Sequence, residues 1–235
     1  MKKDNSLDTR KKSKVGSELD FASREAYKLL RTNISFAFPD EESGRVIGVC
    51  SACPGEGKST TTVNLAYSLA EANNKVLLID GDMRRPSISG VLGLDSAPGL
   101  SDIISGKASA EASHAVLHEN LDVLVSGHIP PNPAELIGSS KMKALINEYK
   151  AKYDYVLVDL PPVLSVSDPV AVSKHLSGMI IVVRHDKTGR RDIAETIRQL
   201  NYANAKILGF VYNRIGGNKG KKSNQHYKYN YDSKD

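Results

Sequence analysis

A glycine-rich run between an apolar strand pattern and a helical pattern constrains the fold of this chain more than any other feature. The run reads SACPGEGKST and spans residues 51–60. A strand–loop–helix unit of this kind is typical of a phosphate-binding P-loop, whose glycines let successive backbone N–H groups turn toward phosphate oxygens. The helix N-terminus adds its positive dipole end. The run therefore predicts a nucleoside triphosphate site, although Ala52 stands where the general pattern begins with glycine.

The predicted nucleotide contacts follow from the P-loop pattern. Lys58 is expected to reach the β- and γ-phosphates, and the Ser59 hydroxyl is expected to ligate Mg²⁺. The loop residues predicted to contact the nucleotide are Pro54, Gly55, Glu56, Gly57, Lys58, Ser59 and Thr60.

Composition narrows the remaining possibilities. The 235 residues carry a net charge of +5, and the basic excess is concentrated at the two ends. Such runs are typical of solvated segments, which we favour over contact with anionic lipid or nucleic acid, so no nucleic-acid partner is predicted. Cys50 and Cys53 form a C-x-x-C on the strand and loop, but no second ligand pair follows, which favours packing over a zinc or redox role. No signal peptide or apolar run of membrane-spanning length is apparent, so a cytoplasmic location is expected.

Apolar strand patterns and helical patterns alternate from residue 45 to residue 215. Strands are predicted at residues 46–50, 75–79, 121–125, 155–158, 178–183 and 207–212, and helices at residues 20–38, 58–73, 139–153 and 191–203. Continuous apolar strands separated by helices indicate a mostly parallel sheet covered on both faces. The predicted fold class is α/β, P-loop NTPase-like, in a single domain with flexible termini.

Three carboxylates stand at predicted strand ends. Asp80 and Asp82 follow the second strand, and Asp159 follows the fourth. Because ligands of parallel sheets bind beyond the carboxyl ends of the strands, these residues are expected beside the P-loop. Together with Ser59 they form the predicted Mg²⁺ site. Asp80 is also the candidate proton acceptor, and Arg84 is expected to pair with Asp82 or with a phosphate.

These motifs resemble those of the bacterial tyrosine kinases, the kinases of capsule and exopolysaccharide synthesis, in their short cytoplasmic form. The P-loop resembles their Walker A motif, DGDMR at residues 80–84 their Walker A′ motif, and DLPP at residues 159–162 their Walker B motif. The resemblance covers nearly all of residues 20–231. It implies a protein-tyrosine kinase that uses ATP and Mg²⁺, with catalytic roles for Lys58, Asp80, Asp82, Arg84 and Asp159. It also implies a base-reading role for Asn213.

The C-terminal tail supports the same interpretation. Tyr227, Tyr229 and Tyr231 are three of the ten tyrosines and lie in a polar tract with no core to join. We interpret them as autophosphorylation sites, each of which would gain about −1.5 to −2 charges. Phosphorylation would thus reverse the basic sign of the tail and loosen an assembly in which a tail occupies a neighbour's site.

The resemblance also implies partners. Family members of this short type depend on a separate transmembrane activator, of the polysaccharide co-polymerase type, that recruits them to the inner face of the membrane. Glu25, Lys28 and Arg31 resemble the Glu-x-x-Arg-x-x-Arg segment through which the family self-associates into rings, with lysine replacing the first arginine. A cognate phosphotyrosine phosphatase is a further expected partner.

Three segments and two alternatives complete the interpretation. Residues 1–44 are predicted as a disordered basic arm, up to residue 18, plus an assembly helix; residues 45–215 as the kinase domain; and residues 216–235 as a flexible tyrosine-rich tail.

The nearest alternative function is that of a switch ATPase of the MinD/ParA type, but those proteins carry a signature lysine where this chain has Cys53. A catalytically idle nucleotide-binding scaffold is the second alternative. The His-Arg-Asp and Asp-Phe-Gly motifs of eukaryotic-type kinases are absent from the sequence.

Overall fold

The computed structural model describes residues 14–38, 44–109 and 117–215. Its strands are β1 Arg45–Ser51, β2 Val76–Asp80, β3 Leu121–Leu124, β4 Tyr155–Asp159, β5 Gly178–Arg184 and β6 Ile207–Asn213. They form one six-stranded sheet in the order β3-β2-β4-β1-β5-β6, and every pairing is parallel. The predicted α/β fold with a parallel sheet is therefore confirmed.

Helices cover both faces of the sheet, as predicted. One face packs against α1 Phe21–Phe36, α2 Lys58–Ala70 and α3 Ile88–Leu92. The other packs against α4 Leu100–Ile104, α5 Pro133–Ile137, α6 Ser140–Lys152, α7 Asp168–Ser173 and α8 Arg190–Tyr202. Successive side chains of a strand point to opposite faces, so Val76 and Leu78 join the first core whereas Leu77 and Ile79 join the second. This two-sided burial explains why the strands read as continuous apolar runs.

The short elements differ from the prediction. The helices α3, α4, α5 and α7 have five or six residues, too few to show a helical period in the sequence. The predicted disordered arm is wrong for residues 16–18, which form a 3₁₀ turn whose Gly16 N–H donates to Asn64 Oδ1 at 2.8 Å. Residues 1–13 of that arm lie outside the described residues. None of the helices in the described ranges has the length and hydrophobicity of a membrane span.

The register of the central strands brings the predicted site together. Asp80 is the last residue of β2 and is directly paired with Asp159, the last residue of β4. On its other side β4 pairs with β1, which leads into the P-loop. Three adjacent strands thus deliver the loop and both carboxylates to one edge of the sheet, where parallel α/β sheets bind ligands.

Candidate active site

The P-loop has the backbone conformation that its glycines allow. Gly55 has φ +76° and Gly57 has φ +93°, in the left-handed region that side chains other than glycine disfavour. Gly57 is the N-cap of α2. No hydrogen bond between described residues uses the backbone N–H of Gly57, Lys58 or Ser59. These donors at a helix N-terminus are therefore available to phosphate oxygens.

Two residues predicted to contact the nucleotide hold the loop itself. The buried Glu56 carboxylate accepts from the Cys53 backbone N–H at 3.0 Å and from Thr188 Oγ1 at 2.5 Å. Asn213, the predicted base-reading residue, donates from Nδ2 to the Glu56 backbone oxygen at 2.9 Å. Both side chains fix the shape of the P-loop, which the sequence pattern alone does not indicate.

Replacing Gly57 by alanine is expected to deform this loop. A Cβ at residue 57 would lie 2.1 Å from Asn213 Nδ2 and would impose a side chain at positive φ, so we expect at least a tenfold weaker affinity for MgADP and a loss of about 1–3 kcal/mol of stability. Calorimetric titration and thermal denaturation measure the two effects. Gly90→Ala is the matched control, because a Cβ there would meet nothing within 4 Å. Equal MgADP affinity of Gly57→Ala and wild type would contradict this account of the loop.

Lys58 lies between two of the predicted carboxylates. Its Nζ is 3.1 Å from Asp82 Oδ2 and 3.3 Å from Asp159 Oδ2. Burial disfavours the charged amine, but Asp159 and Asp82 outweigh it and raise the pKa of Lys58. Ser59 Oγ donates to Asp159 Oδ2 at 2.5 Å, so the lysine and the hydroxyl converge on one carboxylate.

Asp80 is fully buried and is held by backbone donors. Its Oδ2 accepts from the N–H groups of Ser87 and Ile88, each at 3.0 Å, and its Oδ1 accepts from the Asp82 N–H at 3.2 Å. Burial, followed by the neighbouring Asp159, nevertheless raises the pKa of Asp80 to about 7. Asp82, not Asp80, lines the adjacent cavity.

The charges of this cluster fit a divalent cation. Asp80, Asp82 and Asp159 are buried around one lysine, so acidic groups outnumber basic ones in a site of low solvent access. Within the described ranges no group of three or more His, Cys, Asp or Glu side chains forms a ready-made metal cage. Mg²⁺ in nucleotide sites needs only one or two carboxylates, because water and phosphate oxygens complete its shell.

A cavity of about 630 Å³ opens beside the cluster. Its walls come from the P-loop, from the segment after β2 and from the loop after β4. The lining residues used below are Gly57, Lys58, Asp82, Arg84, Pro162 and Val166. Charged groups thus meet an apolar wall at one opening, an arrangement typical of a ligand site.

Arg84 has a different partner from the one predicted. Instead of pairing with Asp82, its Nε donates to Asp168 Oδ2 at 2.8 Å and its Nη2 to Asp168 Oδ1 at 3.0 Å. Asp168, the first residue of α7, was missed in the sequence, where the only signal is an Asp-Pro dipeptide that favours a helix start. The pairing depends on contact between segments 84 residues apart.

The remaining predicted residues lie elsewhere. On α1, Lys28 Nζ pairs with Glu25 at 2.7 Å, and Arg31 Nη1 donates to the Ser68 carbonyl of α2 at 2.5 Å. Cys50 is buried against the sheet, where burial raises its pKa to about 12, and Cys53 is partly exposed. Tyr227, Tyr229 and Tyr231 lie outside the described residues.

Comparison with known proteins agrees with this geometry. The AAA domain model matches residues 44–208. Tyrosine-protein kinase YwqD of Bacillus subtilis is 42% identical over 88% of this chain and 85% of its own length, and tyrosine-protein kinase CpsD of Streptococcus pneumoniae is 35% identical over 81% and 84%. By contrast, the chain spans 28% of the putative tyrosine-protein kinase EpsB of Ralstonia nicotianae, at 35% identity over 92% of this chain.

Solved structures give the same result. The kinase domain of Escherichia coli tyrosine kinase ETK superimposes with a TM-score of 0.78, at 30% identity over 88% of this chain and 80% of that domain. The septum site-determining protein MinD of Pyrococcus horikoshii, complexed with Mg-ADP, gives 0.63 at 31% identity, covering 75% of this chain and 72% of MinD. The fold is therefore shared with MinD. The ETK kinase domain, however, matches a larger share of this chain and superimposes with a higher TM-score. With its P-loop and strand-end carboxylates, the chain belongs to the AAA domain family and, within it, to the bacterial tyrosine-protein kinases.

Proposed function

We propose that this protein transfers the γ-phosphoryl group of ATP to tyrosine, that its own Tyr227, Tyr229 and Tyr231 are acceptors, and that this activity regulates capsular or exopolysaccharide synthesis and export. The observation that carries the proposal is the position of Lys58, between Asp82 and Asp159 at the wall of a cavity. A cation held there can neutralise charge on a transferring phosphoryl group. The apolar wall, with Pro162 and Val166, offers a surface for an acceptor ring.

The chemical roles follow from the positions of the side chains. Ser59, Asp80, Asp82 and Asp159 would hold Mg²⁺ directly or through water, and the ion would supply further neutralisation of phosphate charge. During transfer the bond from the γ-phosphorus to ADP breaks and a bond to the tyrosine oxygen forms. The hydroxyl proton passes to Asp80, and because Asp80 does not line the cavity, one water carries it in this proposal.

The partners and location belong to the same proposal. A transmembrane activator of the polysaccharide co-polymerase type, supplied by another chain, would recruit this cytoplasmic protein to the inner face of the membrane. Self-association would use α1, whose outer surface exposes Phe21, Leu29 and Phe36. A cognate phosphotyrosine phosphatase would return the tail to its unmodified state.

The deciding experiment incubates the full chain with ATP, Mg²⁺ and the cytoplasmic segment of a candidate activator, followed by detection of phosphotyrosine and of ADP. Phosphotyrosine that depends on Lys58 supports the proposal. ADP formation without phosphotyrosine under any activator would overturn it in favour of the MinD/ParA-type switch ATPase. Cys53, in place of the signature lysine, argues against that second function.

The activity is expected to rise with pH through about 7. Since the raised pKa of Asp80 lies at about 7, the carboxylate is mostly protonated below that pH and cannot accept a proton. We expect kcat/KM for a tyrosine substrate to increase about tenfold per pH unit on the acidic side and to level off above pH 7. MgADP affinity measured over the same range separates binding from proton transfer. A kcat/KM that stays constant between about pH 5.5 and 7 would contradict proton transfer to a carboxyl group that titrates near pH 7.

A further inference from the structure

Arg84 and Asp168 join two of the segments that contribute lining residues to the cavity. Arg84 follows Asp82 in the segment after β2, whereas Asp168 ends the loop that leaves β4 and begins α7. Asp82 lies in the first of these segments, and the strands that precede the two segments end at Asp80 and Asp159. A contact between them therefore influences the width of the cavity and the relative positions of its charged groups.

The pair has the geometry of a strong, oriented contact. Both Asp168 oxygens accept, at 2.8 Å from Nε and 3.0 Å from Nη2 of Arg84. A two-point guanidinium–carboxylate contact fixes the plane of the guanidinium as well as its position. The Asp168 side chain is 1% exposed, whereas the Arg84 side chain is 39% exposed and lines the cavity. Asp168 is thus the buried support and Arg84 the exposed group.

One edge of the guanidinium remains available. Nε and Nη2 are occupied by Asp168, and no acceptor in the described part of the chain bonds to Nη1 of Arg84. The other cation of the charged cluster, Lys58, already contacts two carboxylates. Nη1 of Arg84 is therefore a donor that no carboxylate of the charged cluster occupies, and an anionic group in the cavity can accept from it.

We propose that Asp168 is a positioning residue that holds Arg84 so that Nη1 donates to the phosphoryl group while it passes from nucleotide to acceptor. The proposal rests on the proposed phosphotransfer, and Arg84 would act on the charge of the moving group, not on ground-state nucleotide binding. Asp168 would act only through Arg84. Removal of the Asp168 carboxylate should therefore preserve the fold and the affinity for MgADP, while Arg84 loses its fixed orientation.

The test is a double-mutant cycle on the full chain with Asp168→Asn, Arg84→Ala and the double variant. Two quantities are measured for each: kcat for tyrosine phosphorylation with the activator segment, and the affinity for MgADP with and without aluminium fluoride, a mimic of the transferring group. We expect Asp168→Asn to lower kcat and the fluoride-dependent gain in affinity on the order of 10- to 100-fold, with MgADP affinity unchanged within about twofold. In the Arg84→Ala background Asp168→Asn should cause no further loss.

Matched controls separate positioning from folding. Glu195→Gln removes a two-point contact of the same geometry, with Arg198 on the exposed surface of α8, and should change neither quantity. Should Arg84→Ala fail to fold, Arg84→Met, which fills similar space but has no charge and no donor for Asp168, completes the cycle.

The outcomes are distinct. An Asp168→Asn effect that persists in full without Arg84, or an equal loss of affinity for MgADP alone, would overturn the positioning role. The aluminium fluoride measurement needs no tyrosine acceptor. A wild-type protein that forms no phosphotyrosine would contradict the proposed function, while the affinity cycle would still decide the role of Asp168.

Discussion

Replacing Lys58 by methionine is expected to abolish autophosphorylation and to destabilise the nucleotide-free protein. The side chain is 12% exposed and contacts both Asp82 and Asp159. Without it, a cation at the transferring phosphoryl group is lost, and we expect kcat to fall at least about 100-fold. Removing one partner from a buried ion pair also leaves uncompensated carboxylates, which typically costs about 3–5 kcal/mol.

The stability loss should depend on pH. Lys58 lowers the pKa of both Asp80 and Asp159, so its removal raises both pKa values further above the unfolded value of about 3.9. A carboxyl with a raised folded pKa binds more protons folded than unfolded, so stability falls as pH rises from about 4 to that pKa. In wild type the fall due to Asp80 ends near pH 7, and in Lys58→Met it should continue above pH 7.

Thermal denaturation at about pH 5.5 and pH 8 measures this effect. The Tm difference between wild type and Lys58→Met should be larger at pH 8, and Mg²⁺ should raise the Tm of the variant more than that of wild type. Lys141→Met, which removes an exposed lysine of α6, is the control and should change neither Tm nor its pH dependence. A difference that is larger at pH 5.5 would contradict the charge balance described for the cluster.

Replacing Tyr227, Tyr229 and Tyr231 together by phenylalanine is expected to remove most of the phosphate that the protein adds to itself. Phosphorylation of an external tyrosine peptide should continue at the wild-type rate, because the substitution leaves Lys58 and the carboxylates unchanged. The tail has five lysines and two aspartates, so three phosphates, at about −1.5 to −2 each, would change its net charge from positive to negative. Phosphorylated wild type should therefore dissociate from any assembly held through the basic tail.

Quantitative phosphopeptide analysis and sedimentation velocity measure these two effects. The triple phenylalanine variant should keep the same sedimentation coefficient with and without ATP, whereas wild type should shift to smaller species. Tyr202→Phe is the control, because Tyr202 is 89% exposed but belongs to α8 and not to the tail sequence. Undiminished labelling of the triple variant would place the acceptor tyrosines elsewhere.

Elements that are long enough to show a hydrophobic pattern could be predicted from the sequence. Short elements, and turns that depend on contacts with distant residues, could not. Residues 155–158 read as a buried strand because each is apolar, and the observed strand, Tyr155–Asp159, adds only the aspartate at its end. In contrast, α7 is six residues long and shows no helical period. The turn at residues 16–18 depends on Asn64, 48 residues away from Gly16, and no local pattern encodes that contact.

The candidate site divides in the same way. Lys58, Ser59, Asp80, Asp82 and Asp159 could be placed together because a P-loop and strand-end carboxylates have a fixed relation in a parallel sheet. The partner of Arg84 could not be predicted, since Asp168 lies 84 residues away and other carboxylates are nearer in sequence. Asp82 lines the cavity and Asp80 does not, and only the packed structure determines which of two buried side chains reaches a cavity.

A parallel α/β fold with a P-loop could be derived from the sequence, because glycine positions, apolar runs and strand-end aspartates are local properties. The use of each side chain, in contrast, depends on the tertiary structure. Glu56 and Asn213 hold the loop, Arg84 contacts Asp168, and Asp80 is shielded while Asp82 meets the cavity. The physical reason is that hydrogen bonding and the pKa of a buried group depend on neighbours that are distant in the chain and that only folding brings within a few ångströms.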